Sequence, residues 1–116
     1  MIFPQVQAIP AGTKLAPDYT VKGLGKSRGE AALVYLVPNK QGGEPWKKRI
    51  RQSEWETAYQ HLTNGGHITR AWFKQNIPDA YKDGPCTFRV MGEVLVSLGV
   101  ARRIKENIGS KYIPVK

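Results

Sequence analysis

The spacing of apolar positions changes at residue 53 and divides the chain into a strand-like part and a helical part. Ala31 to Val37 is an unbroken apolar run that ends at Pro38 and meets the turn-forming segment Asn39 to Glu44. A short apolar run closed by turn residues predicts a strand, and Trp46 to Arg51 predicts its hairpin partner. A period of two along that partner sets Trp46, Lys48 and Ile50 on one face and Lys47, Arg49 and Arg51 on the other, so one face is wholly cationic. Before the hairpin, Pro4, Pro10 and Pro17 oppose helix, and Gly23, Gly25 and Gly29 make a loop-like run. Residues 1 to 29 are therefore expected to be extended or irregular.

From Ser53 onward the pattern is helical. Ser53 with Glu56 three residues later has the form of a capping box, and Trp55, Ala58, Tyr59 and Leu62 follow at helical spacing. Asn64-Gly65-Gly66 stops this helix, and His67-Ile68 forms a short extended bridge to Thr69. Thr69 caps a second helix carrying Trp72, Phe73 and Ile77, which Pro78 ends. After a loop from Asp79 to Pro85, a third helix over Cys86 to Leu98 places Phe88, Met91, Val94, Leu95 and Leu98 on one face and stops at Gly99. Its outward face would hold Cys86, Arg89, Val90, Glu93, Val96 and Ser97. Val100 to Ile104 and Lys111 to Val115 then flank a turn-forming loop and predict a closing hairpin.

These elements make an α+β protein, and 116 residues fit one domain, with 1–52 as an N-terminal extension and basic hairpin and 53–116 as the helical part. Hydrophobic residues at 41% against 23% charged are enough for a packed core. The longest apolar run is far short of the roughly 20 residues a membrane-spanning helix needs. A lone Cys86 allows no internal disulfide, so a reducing, cytoplasmic setting is expected. The formal net charge of +9 changes the picture most, because it calls for a polyanionic partner. The excess lies in residues 31–52 and 84–116, whereas in 53–83 Glu54, Glu56, Asp79 and Asp83 outnumber Arg70, Lys74 and Lys82.

Catalytic and cofactor chemistry lacks its usual residues. Gly23-Leu24-Gly25-Lys26-Ser27 contains the Gly-Lys-Ser of a phosphate loop, but Thr20 stands where that loop requires its first glycine. His61 and His67 lie across a Gly-Gly break without cysteine or paired carboxylates, which does not match metal-ligand spacing. The acids are scattered among turns and helix starts, where Glu54 and Glu56 suit the helix dipole. A non-enzymatic protein with no metal and no small-molecule cofactor is expected. Trp46, Trp55, Trp72, Tyr59 and Phe73 sit at amphipathic spacing and read as core, with stacking on bases as the alternative.

The stretch Thr87-Phe88-Arg89-Val90-Met91-Gly92-Glu93-Val94-Leu95-Val96-Ser97-Leu98-Gly99-Val100-Ala101-Arg102-Arg103-Ile104 closes a helix with Leu-Gly-Val and enters a strand bearing arginines. Together with the order helix, bridge, helix, helix, strand, loop, strand, it resembles the winged helix-turn-helix family of DNA-binding domains over residues 53–116. That resemblance implies a three-helix core with a C-terminal hairpin wing, Cys86 to Leu98 as recognition helix and Arg102 to Lys111 as wing. Double-stranded DNA becomes the expected partner, with Arg89 as base reader and Lys47, Arg49, Arg51, Arg102, Arg103, Lys105 and Lys111 as phosphate contacts. A small transcriptional regulator or mobile-element accessory factor would have this character. A second reading is a protein-interaction module, possibly homodimeric, that uses the outward Val90 and Val96 and exchanges the apolar arm Met1 to Ile9 between protomers.

Overall fold

Ala32, Leu33, Val34 and Tyr35 are buried in succession on an interior strand, with Leu33 and Tyr35 in the core. The computed structural model describes residues 1–15 and 17–115. Strands β1 (Lys14–Leu15), β2 (Tyr19–Ser27), β3 (Glu30–Val37) and β4 (Trp46–Arg51) form one antiparallel sheet in that order. The expected hairpin is its β3–β4 half, with Leu33 opposite Ile50 and Tyr35 opposite Lys48. The glycine run expected to be a loop is instead β2, which pairs with β3 through a two-residue turn at Arg28-Gly29. Both turn residues have positive φ, 51° and 81°, the twist that suits a right-handed hairpin. Small residues in β2 serve packing: a Cβ at Gly25 would lie 2.6 Å from Val34 Cγ2.

The N-terminal arm is also more ordered than its prolines imply. Pro4 occupies the first turn of helix α1 (Phe3–Gln7), where its missing N–H costs nothing. Ile2, Phe3 and Val6 are buried in this chain's own core. Glu56 holds the arm: its carboxylate accepts from Ile2 N at 3.0 Å and Phe3 N at 2.8 Å. The capping box expected from Ser53 and Glu56 thus lies two residues earlier, with Glu54 Oε1 accepting from Arg51 N at 2.7 Å.

The helical part contains α2 (Gln52–Thr63), α3 (Arg70–Asn76), α4 (Pro78–Asp83) and α5 (Cys86–Ser97), followed by a two-stranded hairpin of β5 (Ala101–Lys105) and β6 (Ser110–Pro114). Thr69 caps α3 as expected, its hydroxyl accepting from Trp72 N at 3.0 Å. The segment after Pro78 is a helix and not a loop, because Pro78 stands at the first position of α4, where proline starts a helix as readily as it ends one. The bridge is real: Ile68 and Tyr112 exchange backbone hydrogen bonds of 2.8 and 3.0 Å, which fastens the β5–β6 hairpin to the helices.

Helix α5 is the interior helix. Phe88, Met91, Val94 and Leu95 form the expected buried stripe, but Thr87, Val90 and Gly92 are buried as well. The expected outward Val90 is fully enclosed, since the N-terminal sheet and α4 pack where the sequence pattern alone leaves solvent. Gly92 faces the ring of Tyr112, which also meets Phe88 edge-on with centroids 5.5 Å apart. Among the described residues no helix is long and apolar enough to cross a membrane.

Gly92→Ala tests this packing with opposite signs in its two terms. Alanine favours an isolated helix by about 1 kcal/mol, but its Cβ would collide with Cε2 and Cζ of Tyr112. Overpacking costs about 1–3 kcal/mol, so urea unfolding should show a net loss of stability.

Candidate nucleic-acid interface

Strand register sorts the cations expected to touch phosphate. Lys47 lies opposite Leu36 and Arg49 opposite Val34, and both side chains are exposed on the sheet face away from the core. The bulge between Val21 and Gly23 brings Lys22 of β2 to the same place. Lys22 lies within hydrogen-bonding reach of Lys47, whose nearby charge, with Arg49 beyond it, holds the Lys22 ammonium below its ordinary pKa. Val34 beneath them is almost fully covered, as the aliphatic stems of long cations permit. Lys22 was not among the candidates from sequence. Its signal was present in the alternation Val21-Lys22-Gly23, but the glycines masked it as a loop.

Arg51 occupies a different environment. Its guanidinium lies 2.8 Å from Asp79, 3.4 Å from Glu30 and 3.4 Å from Glu54, and its side chain is only 19% exposed. Arg51, expected to contact phosphate, is surrounded by three carboxylates. Glu54, 6% exposed, accepts from the backbone of Arg51 and, at 3.2 Å, from Ala80 N, so it joins β4, α2 and α4. Arg28 adds an ion pair to Asp79 at 3.1 Å, and Lys48 pairs with Asp83 at 3.5 Å. A cleft of about 370 Å³ opens here, where Arg28, Arg49, Arg51 and Lys82 face Glu54, Asp79 and Asp83. A second cleft, of about 440 Å³, is lined by Tyr59, Leu62, Val100 and Pro114 and has none of the cations on its walls.

On α5, Arg89 Nε lies 3.7 Å from Glu93, four residues on, and is buried without a hydrogen-bond partner. Arg89, expected to read bases, has a side chain 35% exposed on a largely buried helix and is turned toward Glu93. Glu93 also accepts from Tyr112 Oη at 2.9 Å and pairs with Arg103 at 3.6 Å. Burial first, and then this hydrogen bond to a carboxylate, push the Tyr112 phenol above its ordinary pKa. Across the hairpin, Lys111 pairs with Glu106 at 3.5 Å. Arg102 and Lys105 are exposed and have no ion-pair partner among the described residues. Ile108 at the hairpin tip is 95% exposed, another feature the sequence reading passed over.

The aromatic residues are mostly core. Trp55 and Phe73 are fully buried, Trp72 stacks on His61 at 4.3 Å, and Tyr59 is half-buried. Trp46 departs from the core expectation at 57% exposed, because it lies opposite Val37 at the far end of the sheet. Among the described residues there is no cluster of metal-binding side chains. Comparison with protein-family models, curated proteins and solved structures gave no match.

The eight candidate cations therefore divide into two groups. Lys47, Arg49, Arg102 and Lys105 are available to a partner, and Arg51, Arg89, Arg103 and Lys111 are engaged within the chain. Arg51→Met should cost about 3 kcal/mol by stranding the buried Glu54 carboxylate, whereas Lys47→Met should stay within about 0.5 kcal/mol. Denaturant unfolding of the two variants checks this.

The same network gives a pH dependence. Hydrogen bonding from Ser53 N, the largest cause, holds the Glu30 carboxyl below its ordinary 4.5. Its stabilising contribution is present above the unfolded pKa and is lost as pH falls through the lower folded value. Acid titration should therefore show Glu30→Gln to be less pH-sensitive below about 4.5 than the unmodified protein.

Proposed function

We propose that this protein binds double-stranded DNA without catalysis, through phosphate contacts from the outer face of its sheet and from its C-terminal hairpin. The observation that carries this reading is the crowding of Lys22, Lys47 and Arg49 on one exposed sheet face, with Glu44 close to Lys22 and no ion pair to Lys47 or Arg49 among the described residues. Like charges held together by strand register repel one another, and a polyanion relieves that repulsion while releasing its own condensed counterions. Arg102 and Lys105 extend the same chemistry to the hairpin.

A winged-helix-like scaffold is the frame we favour for residues 53–116. The order α2, bridge, α3, α5, β5, β6 supports it, as does the pairing of Ile68 with Tyr112, with α4 as an insertion. In this reading the enclosed α5 is a structural helix, and contact with DNA passes to the hairpin as wing. Backbone contacts position a protein and carry little sequence information, so sequence preference is modest. A transcriptional regulator or mobile-element accessory factor fits that mode of binding. Burial of Val90 takes one apolar contact from the interaction-module reading, while Val96 stays half-buried on the same helix.

Salt titration of binding to a mixed-sequence duplex of about 30 base pairs tests the proposal. With about four phosphates neutralised, log affinity should fall with log salt at a slope near −4. The double variant Lys47→Glu, Arg49→Glu should weaken binding and flatten the slope by about 2, and Arg102→Glu by about 1. Arg103→Glu should do less to the slope, since Glu93 already takes part of its charge. Absence of binding at low salt overturns the reading.

A further inference from the structure

The wing is stiff where it meets the body and apolar where it ends. Tyr112 fixes its base three times over: through the backbone pair with Ile68, through the hydroxyl bond to Glu93, and through its ring on Phe88 and Gly92. From that base two strands of five residues run out in register to Lys105 and Ser110, and Glu106 N closes the tip on Gly109 O at 3.0 Å. At the end stands Ile108, 95% exposed, the most exposed of the large hydrophobic side chains. The charges behind it are Arg102, Arg103, Lys105 and Lys111, with Glu106 beside Lys111 and Glu93 beside Arg103 in compensation.

An isolated exposed isoleucine on a surface needs no explanation. This one sits at the tip of an anchored hairpin whose flanks are cationic, and those flanks decide its partner. An apolar protein groove would have to desolvate Arg102 and Lys105, whereas a DNA groove presents phosphates to both and an apolar base stack between them. A branched aliphatic side chain entering a groove in this way is the chemistry of a wedge, which partly unstacks one base step and bends the duplex toward the opposite groove.

We infer that Ile108 is a DNA-bending wedge: the wing enters the minor groove, Ile108 inserts at a flexible pyrimidine–purine step, and Arg102 and Lys105 hold the flanking phosphates. The inference rests on the DNA-binding reading above and adds a consequence of binding, namely a kink. Wedges of this type bend DNA by about 20–90°, most easily at TA and CA steps.

The test uses the full chain and a duplex of about 30 base pairs, a length over which a kink of this size is readily measured. The duplex carries an end-to-end fluorescence pair and 2-aminopurine beside a central TA step. Binding should shorten the end-to-end distance and raise 2-aminopurine emission. Ile108→Ala should keep the salt-dependent binding within about ten-fold and lose both signals, and Ile108→Leu should restore them. If the unmodified protein binds without bending, or Ile108→Ala bends DNA equally well, the wedge is overturned and the DNA-binding reading stands. If the unmodified protein does not bind, both fall. Co-sedimentation with anionic vesicles that depends on Ile108, with the duplex left straight, would assign the tip to a lipid surface and overturn the wedge.

Discussion

Glu54 is the residue on which the two parts of this protein depend. A carboxylate this deeply buried is tolerated only when its lone pairs are filled, and here two backbone amides and the Arg51 guanidinium fill them. The donors and their acceptor span three elements: Arg51 ends β4, Ala80 lies in α4, and Glu54, which accepts from both, stands in the first turn of α2. Asp79 and Glu30 then complete the shell around the guanidinium and draw in the β2–β3 turn through Arg28. One ion-pair cluster thus sets the sheet against the helices, and the enclosure of α5 follows from that placement.

Much of the fold was legible from side-chain period alone. The β3–β4 hairpin, α2, the capping of α3 by Thr69, the buried stripe of α5 and the closing hairpin all follow from local pattern, which tertiary contacts then reinforce. The errors share a physical cause. Taken locally, proline and glycine are breakers, yet Pro4 and Pro78 stand at helix starts, and Gly23 and Gly25 sit in a strand, where a Cβ at Gly25 would strike Val34. Local sequence cannot distinguish a stop from a start when the deciding contact lies elsewhere in the chain. The bond from Glu56 to the first helix crosses more than fifty positions.

The candidate site was legible as a total of charge but not as a distribution. A formal +9 says that cations exceed anions, and it is silent on which cations remain once acids have taken their partners. Three carboxylates converge on Arg51, while Arg49 and Lys47, two and four positions from it, form no ion pair among the described residues. The alternation along β4 placed all three on one face, and so it could not separate them. What separates them is the helical layer, which meets the strand at its C-terminal end and leaves the rest bare.

The hold of Glu56 on Ile2 and Phe3 also bears on the order in which the protein is made. During synthesis the sheet can form from neighbouring strands joined by short turns, as each emerges. The first helix has no such opportunity: five residues are too few to persist alone, and both its carboxylate clamp and the core that covers Ile2, Phe3 and Val6 come from chain that has yet to appear. The earliest apolar residues are therefore among the last to be sheltered. In the interval they are the segment a chaperone would meet, and in the finished protein they are an early candidate for release when the structure opens locally.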